Sequence, residues 1–240
     1  MTIQYDGTSL YGWQAQSDER TVQGDIEAAL KKIFKNQKIN LIGSGRTDAG
    51  VHALGQVANI KIDSNMDVQE FINAVNGNIG NDINILTCDE VDINFNSRFS
   101  AIKREYEYRT SNIYSPINRR YVCHLKDDLN LKELNRCAKL VLGEHDFTQL
   151  SKKNDEIKNK ICMIYISKWR KNNDQLVYNI VGNRFLHHMV RYLVGMMIEV
   201  AYKHRSISID DFKNILNGKK RINLYKAPAK GLYLKSVYYD

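Results

Sequence analysis

Proline is nearly absent from this chain of 240 residues: only Pro116 and Pro228 interrupt it. No low-complexity linker appears either, so any second domain must pack against the first. Cysteine is sparse too. Cys88, Cys123, Cys137 and Cys162 are scattered with no close pair, which excludes a disulfide frame and reads as reduced, structural thiols of a cytosolic protein. No segment is apolar enough to span a membrane, and none resembles a lipid-anchor signal. The opening Met1-Thr2-Ile3-Gln4-Tyr5-Asp6-Gly7 lacks a basic n-region and an apolar h-region, so no signal peptide is expected. Also missing are H-x-x-x-H, C-x-x-C and the deaminase-type H-x-E, which predicts no catalytic metal.

What is present is ordinary in bulk and basic in balance. Hydrophobic residues make up 43% and charged residues 26%, as in other globular proteins. Lys and Arg number 35 against 27 Asp and Glu, a net charge of +8 that suits a polyanionic partner without requiring one. The length admits one large domain or two fused small ones.

Periodicity supplies the elements. Residues 2–5 alternate polar and apolar and predict a strand. Residues 6–19 form a polar loop carrying Tyr11, Trp13 and Gln14; Trp13 either stacks on bases or pins the loop to the body. Thr21 is an N-cap candidate, with Val22, Ile26, Ala29, Leu30 and Ile33 following at helical spacing to about residue 35. Strands are predicted over 39–44, 56–62 and 83–91, and a helix over 67–76 with Val68, Phe71, Ile72 and Val75 on one face. The order β-α-β-β-α-β is the ferredoxin-like arrangement.

The second half repeats that order without repeating the sequence. Residues 103–109 alternate charge and tyrosine, predicting a strand with one charged and one aromatic face. A helix is expected over 129–142, ended by Gly143, and a basic stretch with four lysines over 151–160. Residues 161–171 and 175–181 read as a hairpin turning at Asn172-Asn173-Asp174. A long helix is predicted over about 183–203, a shorter one over 209–216, and a last strand over 231–239. On the long helix Phe185, Met189, Tyr192, Leu193, Met196 and Val200 form a core stripe, with Arg184, His188, Arg191 and Gly195 on an adjacent face. His187 and His188, about 100° apart on such a helix, are badly placed to share a metal. The expected fold is α+β: two ferredoxin-like halves, 1–97 and 98–240, joined into one largely antiparallel sheet with helices on one face and a cleft at the seam.

One stretch concentrates chemistry. Ser44-Gly45-Arg46-Thr47-Asp48-Ala49-Gly50-Val51-His52-Ala53 follows a short apolar run, and its flanking glycines permit a sharp turn and a close ligand. Asp48, one residue removed from Arg46, should stay ionised, which makes it a poor acid and a usable nucleophile. On the residues alone, a plain charged turn, with Asp48 bonding its own backbone and Arg46 in solvent, is the commoner reading. Arg191 is costly to bury alone, so it either pairs with Asp48 or reaches solvent. Tyr106 and Leu232 read as a half-buried strand tyrosine and a core leucine.

Read whole, GRTDAGVHALGQVA resembles the catalytic-aspartate motif of the tRNA pseudouridine synthase A (TruA) family. Further matches run the length of the chain. They are Tyr5-Asp6-Gly7-Thr8, Gly12-Trp13-Gln14-Ala15-Gln16, Thr21-Val22-Gln23, Arg98-Phe99-Ser100-Ala101 and Arg104-Glu105-Tyr106-Glu107-Tyr108-Arg109. Gly182-Asn183-Arg184-Phe185-Leu186-His187-His188-Met189-Val190-Arg191 and Gly231-Leu232-Tyr233-Leu234 follow. The resemblance implies isomerisation of uridine to pseudouridine in the tRNA anticodon stem-loop, at tRNA positions 38–40, without cofactor or metal. It implies that Asp48 is the nucleophile, Arg46 holds the flipped-out nucleotide and its phosphate, and Arg191 orients Asp48. Tyr106 would stack on the target base and is a candidate for handling its ring proton, and Leu232 would pack against the site. The basic clusters Lys152-Lys153, Lys168-Trp169-Arg170-Lys171, Lys203-His204-Arg205 and Lys219-Lys220-Arg221 would track phosphates. A cytoplasmic homodimer with tRNA spanning both subunits is implied as well. The same chemistry at another tRNA or ribosomal RNA site, and a non-catalytic RNA-binding module, are the alternatives.

Overall fold

Alternation and helical spacing resolve into ten strands and five α-helices among residues 1–202, 207–220 and 223–240, which the computed structural model describes. The chain divides into two compact units, Met1–Ile102 with Tyr233–Asp240, and Lys103–Leu232.

The first unit runs β1 (Thr2–Tyr5), α1 (Val22–Ile33), β2 (Ile42–Gly43), β3 (His52–Asn59), α2 (Val68–Asn76) and β4 (Ile83–Thr87). That is the predicted β-α-β-β-α-β order. β1 lies antiparallel between β3 and β4, with Thr2 opposite Val57 and Tyr5 opposite Ile83. β2 adds antiparallel at Ala58 and Asn59, and the last strand, β10 (Leu232–Tyr238), adds parallel at His52 and Ala53. α1 begins where Thr21 accepts the Gly24 N–H, and it buries Val22, Ile26, Ala29 and Leu30. α2 begins at a reciprocal Asp67–Glu70 capping box and buries Phe71 and Val75, while Val68 stays exposed.

Three expected strands moved. The 39–44 strand shrinks to two residues, Ile42–Gly43, although the Ser44 N–H still donates to Val57 O at 2.8 Å. The 56–62 strand starts four residues earlier and ends at Asn59; buried Gln56 breaks the polar-out rule that located it. The 83–91 strand stops at Thr87, ahead of exposed Asp89 and Glu90.

The second unit runs β5 (Lys103–Ser111), β6 (Cys123–His124), α3 (Leu131–Leu140), β7 (Gly143–Asp146), β8 (Ile161–Asn172), β9 (Gln175–Gly182), α4 (Met189–Ala201) and α5 (Ile209–Leu216). β5, β9, β8 and β7 are antiparallel in that order, and β6 lies parallel to the end of β5. β8 and β9 turn at Asn173 and Asp174, with Asn173 in the left-handed region at φ 51°, a conformation asparagine tolerates. β6 has only two residues, and β7 reads Gly-Glu-His-Asp with no apolar residue to alternate, so neither was expected. α3 packs on β8 and α4. Beneath it, Trp169 stacks on Tyr178 with ring centroids 5.0 Å apart and directs its Nε1 at Met197 Sδ.

Two departures bear on the site. On the charged face predicted for β5, Glu105 and Glu107 are buried while Lys103 is exposed. Glu107 takes Arg109 at 2.8 Å and Arg170 at 3.4 Å, and Glu105 accepts from Asn179 at 2.7 Å. The long helix begins at Met189, six residues late. Asn183 is spent on β8, its N–H on Met163 O and its Oδ1 on Met163 N, each at 3.0 Å. His188 then adopts φ 65°, which no right-handed helix accommodates. The face drawn through Arg184, His188, Arg191 and Gly195 is therefore not helical at its first two members, and Phe185 is not on the core stripe. Lys203, the expected helix end, and the Lys203-His204-Arg205 cluster lie outside the described residues, as does Arg221. Among the described residues no helix is long and apolar enough to cross a membrane.

Candidate active site

In the first unit, Asp48 sits half-buried in the turn between β2 and β3. Val51 N–H donates to Asp48 O at 3.1 Å, with Gly50 at φ 76° in the third position, where a turn of this kind needs glycine. Gln56 Nε2 donates to Gly45 O at 2.9 Å and its Oε1 accepts from Ser44 Oγ at 2.6 Å, closing the start of the turn. Thr47 is buried and its hydroxyl meets Tyr5 Oη at 2.7 Å. The loop after β1 covers the other side. Trp13 N–H donates to Thr47 O at 3.1 Å, Gly50 N–H donates to Leu10 O at 3.2 Å, and a β-carbon on Gly12 would overlap Thr47 O. The carboxylate thus rides on backbone clamped from two directions, which is how a reacting group is kept in one geometry.

Arg46 is exposed and makes no ion pair with Asp48. Of the two glycines, only Gly50 needs its conformational freedom. A β-carbon on Gly45 would meet open space.

Trp13 is 2% exposed, its ring lying against Gly43 and 6.5 Å from Tyr5. It pins the loop and does not stack on bases. His52 is a buried strand residue: Nδ1 receives the Gly7 N–H at 3.1 Å, and the ring stacks on Tyr233 at 4.8 Å.

In the second unit, Tyr106 is buried at 8% exposure and meets Phe185 edge to face, with centroids 5.1 Å apart at 82°. Two residues on, burial pushes the Tyr108 phenol well above its ordinary pKa, so it stays a neutral donor to Pro228 O at 2.8 Å. Arg191 is in the first turn of α4, not halfway along it. Its Nε donates to Ala227 O at 2.8 Å while its own carbonyl accepts the Ala227 N–H at 3.1 Å. Leu232 is buried at the start of β10, after a 3-10 turn over Ala229–Gly231.

Comparison with known proteins shows the family. A family model described as tRNA pseudouridine synthase matches residues 1–100 and 137–240. The tRNA pseudouridine synthase A 2 of Clostridium tetani is 38% identical over 245 residues, covering 100% of this chain and 98% of its own. The Bacillus pumilus tRNA pseudouridine synthase A is 37% identical over 246 residues, covering 100% and 98%. That of Borrelia garinii is 40% identical over 243 residues, covering 99% and 97%. The chain belongs to the tRNA pseudouridine synthase A family.

In this member of the tRNA pseudouridine synthase A family, the spacing of the motifs has a physical reason. Tyr5-Asp6-Gly7-Thr8 and Gly12-Trp13 are the backbone against which Thr47, Asp48 and Gly50 rest. Tyr5, Gly12 and Gln56 are supporting residues that sequence reasoning did not assign. The available signal for Gln56 was an amide set between apolar Leu54 and Val57 in the strand that follows the motif. Phe185 was assigned to the helix core, and nothing in its spacing marks it as a partner of Tyr106. The family model passes over residues 101–136, which include Tyr106, whereas the full-length relatives align across them.

Proposed function

We propose that this chain converts uridine to pseudouridine in the tRNA anticodon stem-loop, at positions 38–40, with Asp48 as the nucleophile. The enzyme class, an isomerase acting on tRNA, follows from the family. The reaction breaks the N1–C1′ bond, turns the uracil, and joins C5 to C1′; C5 loses a proton and N1 gains one, so nothing is added or removed overall. No redox partner is required by that balance. The uridine must leave its stack to react, as for other enzymes that act on a base.

The observation that carries the reading is the seat of Asp48, a carboxylate held half-buried on a doubly clamped turn within a chain that aligns end to end with tRNA pseudouridine synthases. Residues 1–97 would supply Asp48 and Arg46, and residues 98–240 would supply Tyr106, Arg191 and Leu232. Exposed Arg46 suits a phosphate with its planar donor fork, and Arg191, fixed at Nε, would orient and stabilise the carboxylate. Tyr106 would contact the target base. The exposed Lys152, Lys153, Lys168, Arg170 and Lys171 would follow the phosphates and make affinity fall with salt. By the same family reasoning the working form is a cytoplasmic homodimer on tRNA.

The test incubates an unmodified tRNA transcript with the protein and maps pseudouridine by carbodiimide-dependent reverse-transcription stops. Stops are expected in the anticodon arm, and they vanish in Asp48→Asn while tRNA binding persists. Stops elsewhere would move the target, and binding without stops from the unaltered protein would reduce it to an RNA-binding module.

A further inference from the structure

We propose that Phe185 is a positioning residue for Tyr106, setting the angle at which the tyrosine ring meets the target base. The proposal rests on the reading that Tyr106 contacts that base.

Residues 183–188 look like the opening of a helix and are instead a strap bolted to two strands. Asn183 is held on β8 by paired hydrogen bonds to Met163, and its carbonyl receives Arg104 Nη1 from β5 at 2.8 Å. Arg104 and Tyr106 are two apart on β5, so their side chains leave the same face. The strap is therefore gripped twice from one face, by Arg104 on the Asn183 backbone and by Tyr106 on the Phe185 ring.

Access to that position is tight. Phe185 Cζ would be 3.1 Å from a β-carbon on Gly182, which would also lie 3.0 Å from Met163 O and 2.9 Å from Ile164 Cδ1. The strap follows directly on a position where side-chain bulk is excluded, which lets the Phe185 ring reach the sheet. An edge-to-face pair has a preferred angle beyond simple burial. A ring with 8% of its surface exposed offers a narrow face to any ligand, so its tilt decides whether stacking succeeds. Phe185 is half-buried and fills space as well, and its 82° approach is one of the two geometries an aromatic pair prefers, so the pair favours a defined tilt of the Tyr106 ring.

The experiment uses the full chain with Phe185→Leu, Tyr106→Leu, Tyr106→Phe and the double variants, assayed for single-turnover rate and KM on tRNA transcript. Phe185→Leu is expected to keep KM within about twofold and lower the rate about tenfold, the upper end of what an edge-to-face pair supports. The loss should recur in Tyr106→Phe, which keeps the ring, and disappear in Tyr106→Leu, which does not. Tyrosine ring resonances, with Tyr106 assigned by its absence in Tyr106→Phe, supply a readout independent of turnover: Phe185→Leu should shift the Tyr106 signal. No shift, a raised KM at constant rate, or an equal loss in the Tyr106→Leu background would overturn the positioning role. Full activity in Tyr106→Leu would instead remove the base-contact reading of Tyr106, whatever the Tyr106 resonance shows in Phe185→Leu. If Tyr106→Leu is inactive, the ring shift and the Tyr106→Phe comparison decide.

Discussion

The carbonyl oxygen of Thr47 occupies the place where a side chain on Gly12 would begin. Gly12 is also at φ 85°, so the position excludes other residues twice, by space and by backbone conformation. The loop after β1 and the turn bearing Asp48 are thus one assembly, although some 35 residues separate them in sequence.

Gly12→Ala should therefore disturb Asp48 without touching it. Left-handed strain alone costs about 1–2 kcal/mol, and the overlap with Thr47 O must be relieved by moving the turn. A chain of this size loses about 2–4 °C of melting temperature per kcal/mol. Gly12→Ala is expected to melt several degrees lower and to form little pseudouridine. An unchanged melting curve with full activity would mean that the turn is not held there.

Gly45→Ala is the contrasting case. Its β-carbon meets nothing within 4 Å, so thermal stability should stay within about 1 °C, as for surface changes away from special features. If RNA passes over the turn, the new methyl group occupies its path, and KM for tRNA should rise severalfold. A KM unchanged along with stability would place the RNA elsewhere.

Much of the architecture could be read in advance because local pattern and final role coincide. Thr21 looks like a cap and is one, residues 209–216 look helical and are, and Asn172-Asn173-Asp174 sits at the hairpin turn. The Asp48 turn was readable as a motif. Its clamp was not, because contacts from Tyr5 and Gly12 to Thr47 leave no periodic trace. The start of α4 was misread for a related reason. Phe185, Met189 and Tyr192 keep helical spacing, but spacing does not register that Asn183 is consumed by Met163 or that His188 is left-handed. Trp13 was evenly balanced in the sequence, and only its burial against Gly43 separates anchor from stacking platform.

Both tryptophans are buried, Trp13 at 2% and Trp169 at 1% exposure. Intrinsic tryptophan emission should accordingly be blue-shifted and poorly quenched by iodide, and saturating tRNA should leave it nearly unchanged. Strong quenching by tRNA would return Trp13 to the RNA interface.

The thiols give a pH-dependent check. Cys123, Cys137 and Cys162 are buried, and burial pushes Cys162 up to about 11; Cys88 is only half-buried, though also raised by burial. Since the thiolate is the nucleophile, raised values mean slow alkylation at neutral pH and faster alkylation as pH climbs. Native protein treated with iodoacetamide at pH 8 should take up label slowly and at Cys88 first, whereas unfolded protein takes four. Rapid native labelling of Cys162, followed by mass spectrometry, would contradict its enclosure.

Arg191 separates charge from geometry. Its Nε is tied to Ala227 O at 2.8 Å, and the backbone bond from Ala227 N to Arg191 O, at 3.1 Å, fastens the same segment to α4. Lysine keeps the positive charge, and the backbone bond survives, but it has no Nε to anchor and no planar fork to present. If Arg191 orients the carboxylate, Arg191→Lys should fold normally, bind tRNA within a few-fold of the parent, and turn over on the order of 10²-fold more slowly, as when one preorganised donor is removed from an active site. Turnover near the parental rate would mean that a nearby positive charge suffices. A collapse of tRNA binding at unchanged turnover would move Arg191 from the chemistry to the RNA grip.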